Sequence, residues 1–273
     1  MHISISNIAW GVELDDEVSK LLQNFEVSFI DIAPAKYFPS ISSTTDSDIK
    51  SVREWWFDRG IKIHGMQSLM FGTSGLNLFG VLSVRENMLA HLRHVLRIAA
   101  GLGVKSVTFG SPKNRDRSGL GDEEVICLAV SFFRDLGDLA NDYGVDVCLE
   151  PNPEVYGANF MTNIVDTVAI VKLVDHERIR LQLDTGAVIL NNENFAEVLD
   201  GCSNLVGHIH LSEAHLRPLD IESEINHRLV SKLLRAYFPG SVATIEMLTL
   251  EGFELEGIRG ALNVVTEYYG AQF

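Results

Sequence analysis

At 273 residues the chain exceeds a typical single domain, yet α/β barrels routinely fill about 250 residues as one unit, so length alone does not demand two. An apolar fraction of 46% and a charged fraction of 22% provide ample material for a core. A formal net charge of −15 works against polyanionic partners, because phosphate backbones are bound through clustered Lys and Arg; nucleic acid and anionic membrane surfaces are excluded, while a small anionic substrate is not.

In chain order, short β-branched apolar runs alternate with longer amphipathic stretches, the pattern of βα units on a parallel sheet. The runs are His2 to Ala9, Val27 to Ala33, Ile61 to Met66, Val104 to Phe109, Val145 to Glu150, Ile179 to Asp184, Val206 to Leu211 and Val242 to Met247. Their starts lie about 25 to 43 residues apart, enough for one strand, one helix and two loops. The first helix, Asp15 to Asn24, is short, and Ser47 to Asp58 begins with capping residues and carries Trp55 and Trp56. Val84 to Ala100 sets Met88, Leu92, Val95, Leu96 and Ala99 at steps of three and four, with Gly101 and Gly103 as a stop. Asp122 to Tyr143 ends before Gly144, and Glu222 to Tyr237 ends before Pro239 and Gly240.

No proline- or serine-rich linker divides the chain, which predicts one closed (β/α)8 TIM barrel over residues 1–273. An open doubly wound sheet would need a glycine-rich phosphate turn after an early strand, and neither GxGxxG nor GxxxxGK[ST] is present. No run approaches the roughly 18 apolar residues of a membrane span, and the start MHISISNIAW lacks the basic and apolar regions of a leader, so the cytoplasm is the expected compartment. Cys127, Cys148 and Cys202 are odd in number, far apart and set in apolar sequence, which reads as three buried, reduced thiols.

In such a barrel, functional groups sit at the carboxyl ends of the strands. Four consecutive strands carry a metal-ligand type there: Glu150 in VCLEPNP, Asp184 in LQLDTG, His210 in GHIHLSE and Glu246 in ATIEML. A charge closing an apolar strand is costly unless paired or coordinated, and three carboxylates without strand-end Lys or Arg repel one another. A divalent cation resolves that repulsion. Three oxygen donors and one imidazole suit Mn2+, Mg2+ or Co2+ better than a structural zinc centre; Mn2+ is favoured and Zn2+ stays open.

These motifs, with HGMQSL at the third strand and FGSPKNR at the fourth, resemble the xylose isomerase-like TIM-barrel superfamily, the sugar phosphate isomerase/epimerase group, over essentially the whole chain. The resemblance to its ketose 3-epimerases implies that Glu150, Asp184, His210 and Glu246 hold one metal and that Glu150 and Glu246 also serve as acid and base. It implies a small-molecule carbohydrate substrate, isomerised or epimerised by proton transfer next to a carbonyl through an enediolate. Many relatives have a histidine just after the Asp motif, where this chain has Ala187, which argues against a multi-metal centre.

Around these four, His64 reads either as a contact to a substrate hydroxyl or as an interior histidine, and Trp10 as a sugar-facing wall or as core. Lys113, Arg115 and Arg217 follow strands and could clamp a phosphate or carboxylate, although Lys113 and Arg115 read better as solvated loop cations. The resemblance favours Arg217 as a substrate contact. Glu213 or His215 is expected to orient His210 from behind. A lyase or dehydratase, an AP endonuclease-like phosphodiesterase and a non-catalytic sugar-binding barrel are the alternatives, and homo-oligomer formation stays open.

Overall fold

The computed structural model describes residues 1–220, 223 and 225–270. Eight parallel strands close on themselves in chain order: β1 (His2–Ser6), β2 (Phe29–Ile32), β3 (Lys62–Met66), β4 (Ser106–Phe109), β5 (Asp146–Leu149), β6 (Ile179–Asp184), β7 (Val206–Ser212) and β8 (Val242–Glu246). Closure is made by β1 and β8, with His2 opposite Val242 and Ile5 opposite Ile245. The expected eight-stranded barrel is therefore the fold; seven expected runs contain their strand whole, and β7 runs one residue past the expected end at Leu211.

The helices are α1 (Asp15–Asn24), α2 (Pro34–Tyr37), α3 (Asp46–Phe57), α4 (Leu82–Leu102), α5 (Asp122–Tyr143), α6 (Ile164–Val174), α7 (Thr185–Leu190), α8 (Phe195–Cys202), α9 (His227–Tyr237) and α10 (Glu254–Tyr269). A capping box starts α3: the Thr45 hydroxyl accepts the Asp48 N–H and the Asp48 carboxylate accepts the Thr45 N–H. Gly103, at φ 83°, ends α4 in the left-handed conformation that glycine adopts without strain. The expected start of the α9 helix at Glu222 lies outside the described residues. Among the described residues no helix is long and apolar enough to cross a membrane.

The strands alternate, and the alternation builds the site. Ile5, Ile30, Val107, Leu149, Leu183, Ile209, Leu211 and Ile245 are buried in the apolar layer between sheet and helices. Their neighbours Ser4, Asp31, Thr108, Gln182, His208, His210, Ser212, Thr244 and Glu246 are buried as well, but polar. Hydrogen bonds between non-adjacent strands put these side chains in the lumen: Thr108 on β4 donates to Gln182 on β6 at 3.2 Å, and Gln67, just past β3, donates to Glu246 on β8 at 2.6 Å. TIM barrels usually fill that space with branched apolar side chains, and a polar lumen is stable only where its groups find partners.

Two of the three cysteines behave as expected. Cys148 and Cys202 are buried, whereas Cys127 is exposed, because Val125 and Ala129 take the inward face of α5 at that turn and leave Cys127 on the outer one.

Candidate metal centre

Glu150, Asp184, His210 and Glu246 converge at the carboxyl end of the barrel, each offering one ligand atom, and these atoms all lie within 4.8 Å of one another. His210 is fully buried, and its Nδ1 stands 3.4 Å from Glu150 Oε1, 4.0 Å from Asp184 Oδ2 and 3.2 Å from Glu246 Oε2. Glu150 follows β5 directly, while Asp184 and Glu246 end β6 and β8. β7 runs two residues past His210, so this side chain comes from within its strand rather than from its end.

Glu150 and Glu246 are each held by one oxygen and present the other, whereas Asp184 is held by both. Asn152 donates to Glu150 Oε2 at 3.2 Å, the Ala187 N–H to Asp184 Oδ1 at 2.6 Å, and Gln67 to Glu246 Oε1 at 2.6 Å. The Ser212 hydroxyl also donates to Asp184 Oδ2 at 2.7 Å. Gly110 makes room for this arrangement, since a Cβ there would fall 1.9 Å from Glu150 Oε2. Locking ligand rotamers in this way preorganises a site at no cost on binding.

The electrostatics of the cluster follow from its burial and from the charges it gathers. Burial, with Glu246 and Glu150 close by, pushes the Asp184 carboxyl up to about 7. Burial also acts to raise Glu246, but His210 and the Gln67 hydrogen bond outweigh it and hold this carboxyl below its ordinary value. For His210, burial opposes charge, and the surrounding carboxylates overcome it and hold the imidazole well above its usual range. Glu150 Oε1 and His210 Nδ1 are buried without a hydrogen-bond partner. Three carboxylate oxygens and one imidazole nitrogen facing one point, two of them unsatisfied, fit a hard divalent cation.

Two cavities open over the cluster, and Glu150 and Glu246 line both. One, of about 660 Å³, is walled by residues 67–76 after β3 and by the end of β4, including Lys113. The other, of about 430 Å³, is walled by Tyr156, Ala187, His215 and their neighbours. Ser68, Met161, His215 and Leu216 have φ between 52° and 61° in the loops after β3, β5 and β7. Strained backbone of this kind gathers where a site must be shaped.

Of the other expected residues, Lys113 is exposed and lines the larger cavity. Arg217 lines a separate cavity of about 650 Å³ beside Glu213. Trp10 is only 2% exposed and lines none of these cavities; its indole donates to Asp15 at 2.7 Å, so its place is in the core. His64 lies deeper than the cluster with its ring stacked on His208 at 5.4 Å, and burial lowers its pKa. Arg115 is not a solvated loop cation: it is 1% exposed and donates to the Glu150 carbonyl at 2.8 Å, which fixes the backbone that carries the Glu150 carboxylate. Neither residue expected behind His210 is there. Glu213 faces His227 at 3.5 Å, and the His215 N–H donates to the Tyr156 hydroxyl. The group behind His210 is Asp31 on β2, which sequence reasoning missed together with Gln67; the lone Asp in FIDI and the polar residue at every second position of HIHLS are the signals that point inward.

The xylose isomerase-like TIM barrel family matches residues 20–266. A D-psicose 3-epimerase of Agrobacterium fabrum is 27% identical over 82 residues, 30% of this chain and 28% of that relative, so the aligned stretch spans under a third of its length. Among solved structures, a D-psicose 3-epimerase with D-tagatose from Clostridium cellulolyticum H10 superposes with a TM-score of 0.81 at 18% identity, covering 99% of this chain and 100% of that one. A D-psicose 3-epimerase in the presence of D-fructose gives a TM-score of 0.80 at 20% identity, with 99% and 100% covered. At such identities these likenesses establish the shared fold.

Proposed function

Since the chain belongs to the xylose isomerase-like TIM barrel family, we propose that it is a divalent-metal-dependent sugar epimerase or isomerase that moves a proton on the carbon next to the substrate carbonyl. The observation that carries the reading is the position of Glu150 and Glu246, which belong to the four-residue cluster and also line both cavities above it. An ion held by Glu150, Asp184, His210 and Glu246, with Mn2+ favoured by the donor set over Mg2+, Co2+ or Zn2+, supplies Lewis-acid stabilisation of the negative charge that develops on the substrate oxygens.

The remaining chemistry is done by side chains. Glu150 and Glu246 come from strands three apart around the barrel, which suits an approach to the substrate from two sides. One carboxylate accepts the proton from the carbon, leaving an enediolate, and the other, entering protonated, returns a proton to the opposite face. The proton has then moved from one glutamate to the other, and exchange with solvent restores the starting state. Gln67 keeps Glu246 from rotating out of reach. Lys113 is the cation lining the larger cavity, placed to meet a substrate oxygen or anionic group. Arg217 remains a proposed contact for a substrate long enough to reach it.

The test is incubation of the Mn2+-loaded protein in D2O with D-fructose, D-psicose, D-tagatose, sugar phosphates and hydroxy-keto acids. The reading expects deuterium on the carbon next to the carbonyl and a new epimer or isomer from at least one of them. Recovery of every compound unchanged and free of deuterium would refute it.

A further inference from the structure

Beneath the cluster, deeper in the lumen, lies a second set of buried polar groups, of which Asp31, His208 and Gln182 line neither cavity. Asp31 is 1% exposed, and its Oδ2 stands 2.9 Å from His208 Nε2 and 3.9 Å from His210 Nε2. Its Oδ1 accepts the Ser4 hydroxyl at 3.3 Å. His208 is fixed from its other side: the Thr108 hydroxyl donates to the Gln182 carbonyl oxygen, which leaves the Gln182 amide nitrogen to donate to His208 Nδ1 at 3.1 Å. With Nδ1 accepting, the His208 proton resides on Nε2, the atom that faces Asp31.

The backbone is arranged to permit this contact. The β2–β3 register shifts after Ile30, so that Asp31 pairs with Gly65 and His64 becomes the extra residue of a bulge. Gly65 is required there, because a Cβ would fall 2.5 Å from Asp31 Oδ2 and 2.8 Å from His208 Nε2. The displaced His64 ring stacks on His208 and closes the underside. A bulge, a glycine and an oriented amide thus converge on one carboxylate. Facing the same carboxylate oxygen is His210 Nε2, buried and without a hydrogen-bond partner among the described residues.

We infer that Asp31, supported by His208, is the positioning residue for His210, drawing the imidazole proton to Nε2 so that the Nδ1 lone pair faces Glu150, Asp184 and Glu246. The inference rests on the reading of that four-residue cluster as a cation site. Asp31 acts through His210 alone and touches no substrate. A carboxylate behind a ligating histidine fixes its tautomer and raises its basicity, and losing such a partner typically weakens metal affinity by about 10- to 100-fold.

The experiment is calorimetric titration of the chelator-treated protein with Mn2+, first for the wild type, which tests the cluster itself, and then for variants. Asp31→Asn should bind about 10- to 100-fold more weakly. Asp15→Asn, which neutralises a different buried carboxylate bonded to Trp10 and Tyr37, should bind like the wild type. At saturating Co2+ the visible absorption of Asp31→Asn should also differ from that of the wild type, because the donor strength of His210 has changed. Should Asp31→Asn fail to fold, His208→Asn leaves Asp31 in place without its support and should show a loss of affinity in the same direction. Binding within twofold of the wild type in the variant that folds, or equal losses for Asp31→Asn and Asp15→Asn, overturns the inference. A second Mn2+ bound in the wild type and lost in Asp31→Asn overturns it too, since Asp31, His208 and His210 would then be ligands themselves.

Discussion

Asp184→Asn should make the metal-free protein more stable at alkaline pH while weakening its hold on metal. Burial and two neighbouring carboxylates raise the Asp184 carboxyl from 3.8 to about 7. That is about three units at about 1.4 kcal/mol each, so ionising Asp184 in the metal-free fold costs up to about 4 kcal/mol. Because the folded value lies above the unfolded one, the contribution to stability is complete below about pH 4 and is lost as pH rises through 7. Asparagine does not ionise, so the gap between variant and wild type should be small near pH 4, grow steadily above it and open fully by pH 8. Its side-chain oxygen can keep the Ala187 N–H, and the Ser212 hydroxyl can turn to accept from the new amide, so packing changes little. For a chain of this size about 1 kcal/mol moves the melting temperature by roughly 2–4 °C, so even a quarter of the upper limit gives a readable rise. Thermal unfolding in the presence of a chelator at pH 4 and pH 8 measures it. A variant that melts below the wild type at pH 8, or a difference independent of pH, would refute the electrostatic account.

Two further outcomes follow from the same cluster. Metal affinity should rise steeply between about pH 6 and pH 8, because Asp184 at about 7 and His210 above its usual range must release protons before they coordinate; titration calorimetry in buffers of different ionisation enthalpy counts those protons, and pH-independent binding would contradict it. Gln67→Leu removes the 2.6 Å hydrogen bond that steadies Glu246, and since bonds to charged groups are worth about 1.5–3 kcal/mol, turnover should fall by roughly tenfold or more with Mn2+ still bound, as activity and metal analysis on one sample would show.

Much of this was legible in the sequence because the barrel repeats one unit. Every expected run coincides with a strand, β7 overrunning its run by one residue, and α1 and α5 have the expected bounds, since spacing and apolar periodicity are local properties. The four clustered residues were legible for a related reason: a charge that closes an apolar strand is conspicuous. The layer beneath them was not. Asp31 and His208 meet across the lumen from β2 and β7, a contact set by strand order and by a bulge at His64 that no local pattern announces. Reading the strands as apolar runs concealed their strict alternation, in which HIHLS and ATIE put one residue in two into the lumen. Glu213 and His215 looked suited to orient His210 because they are near in sequence, but the strained turn at His215 and Leu216 carries the chain away from its ring.

The central claim is that Glu150 and Glu246 divide the proton transfer while both hold the metal. It is tested most directly by following deuterium uptake and product formation separately in Glu150→Gln and Glu246→Gln, each loaded with Mn2+, on a substrate that the wild type turns over. The account predicts that turnover falls by at least about a hundredfold in both. In one variant the substrate's own hydrogen should still exchange with solvent, because removal of the proton from one face survives without its return to the other. Near-normal turnover by Glu246→Gln with metal bound would contradict the two-carboxylate mechanism.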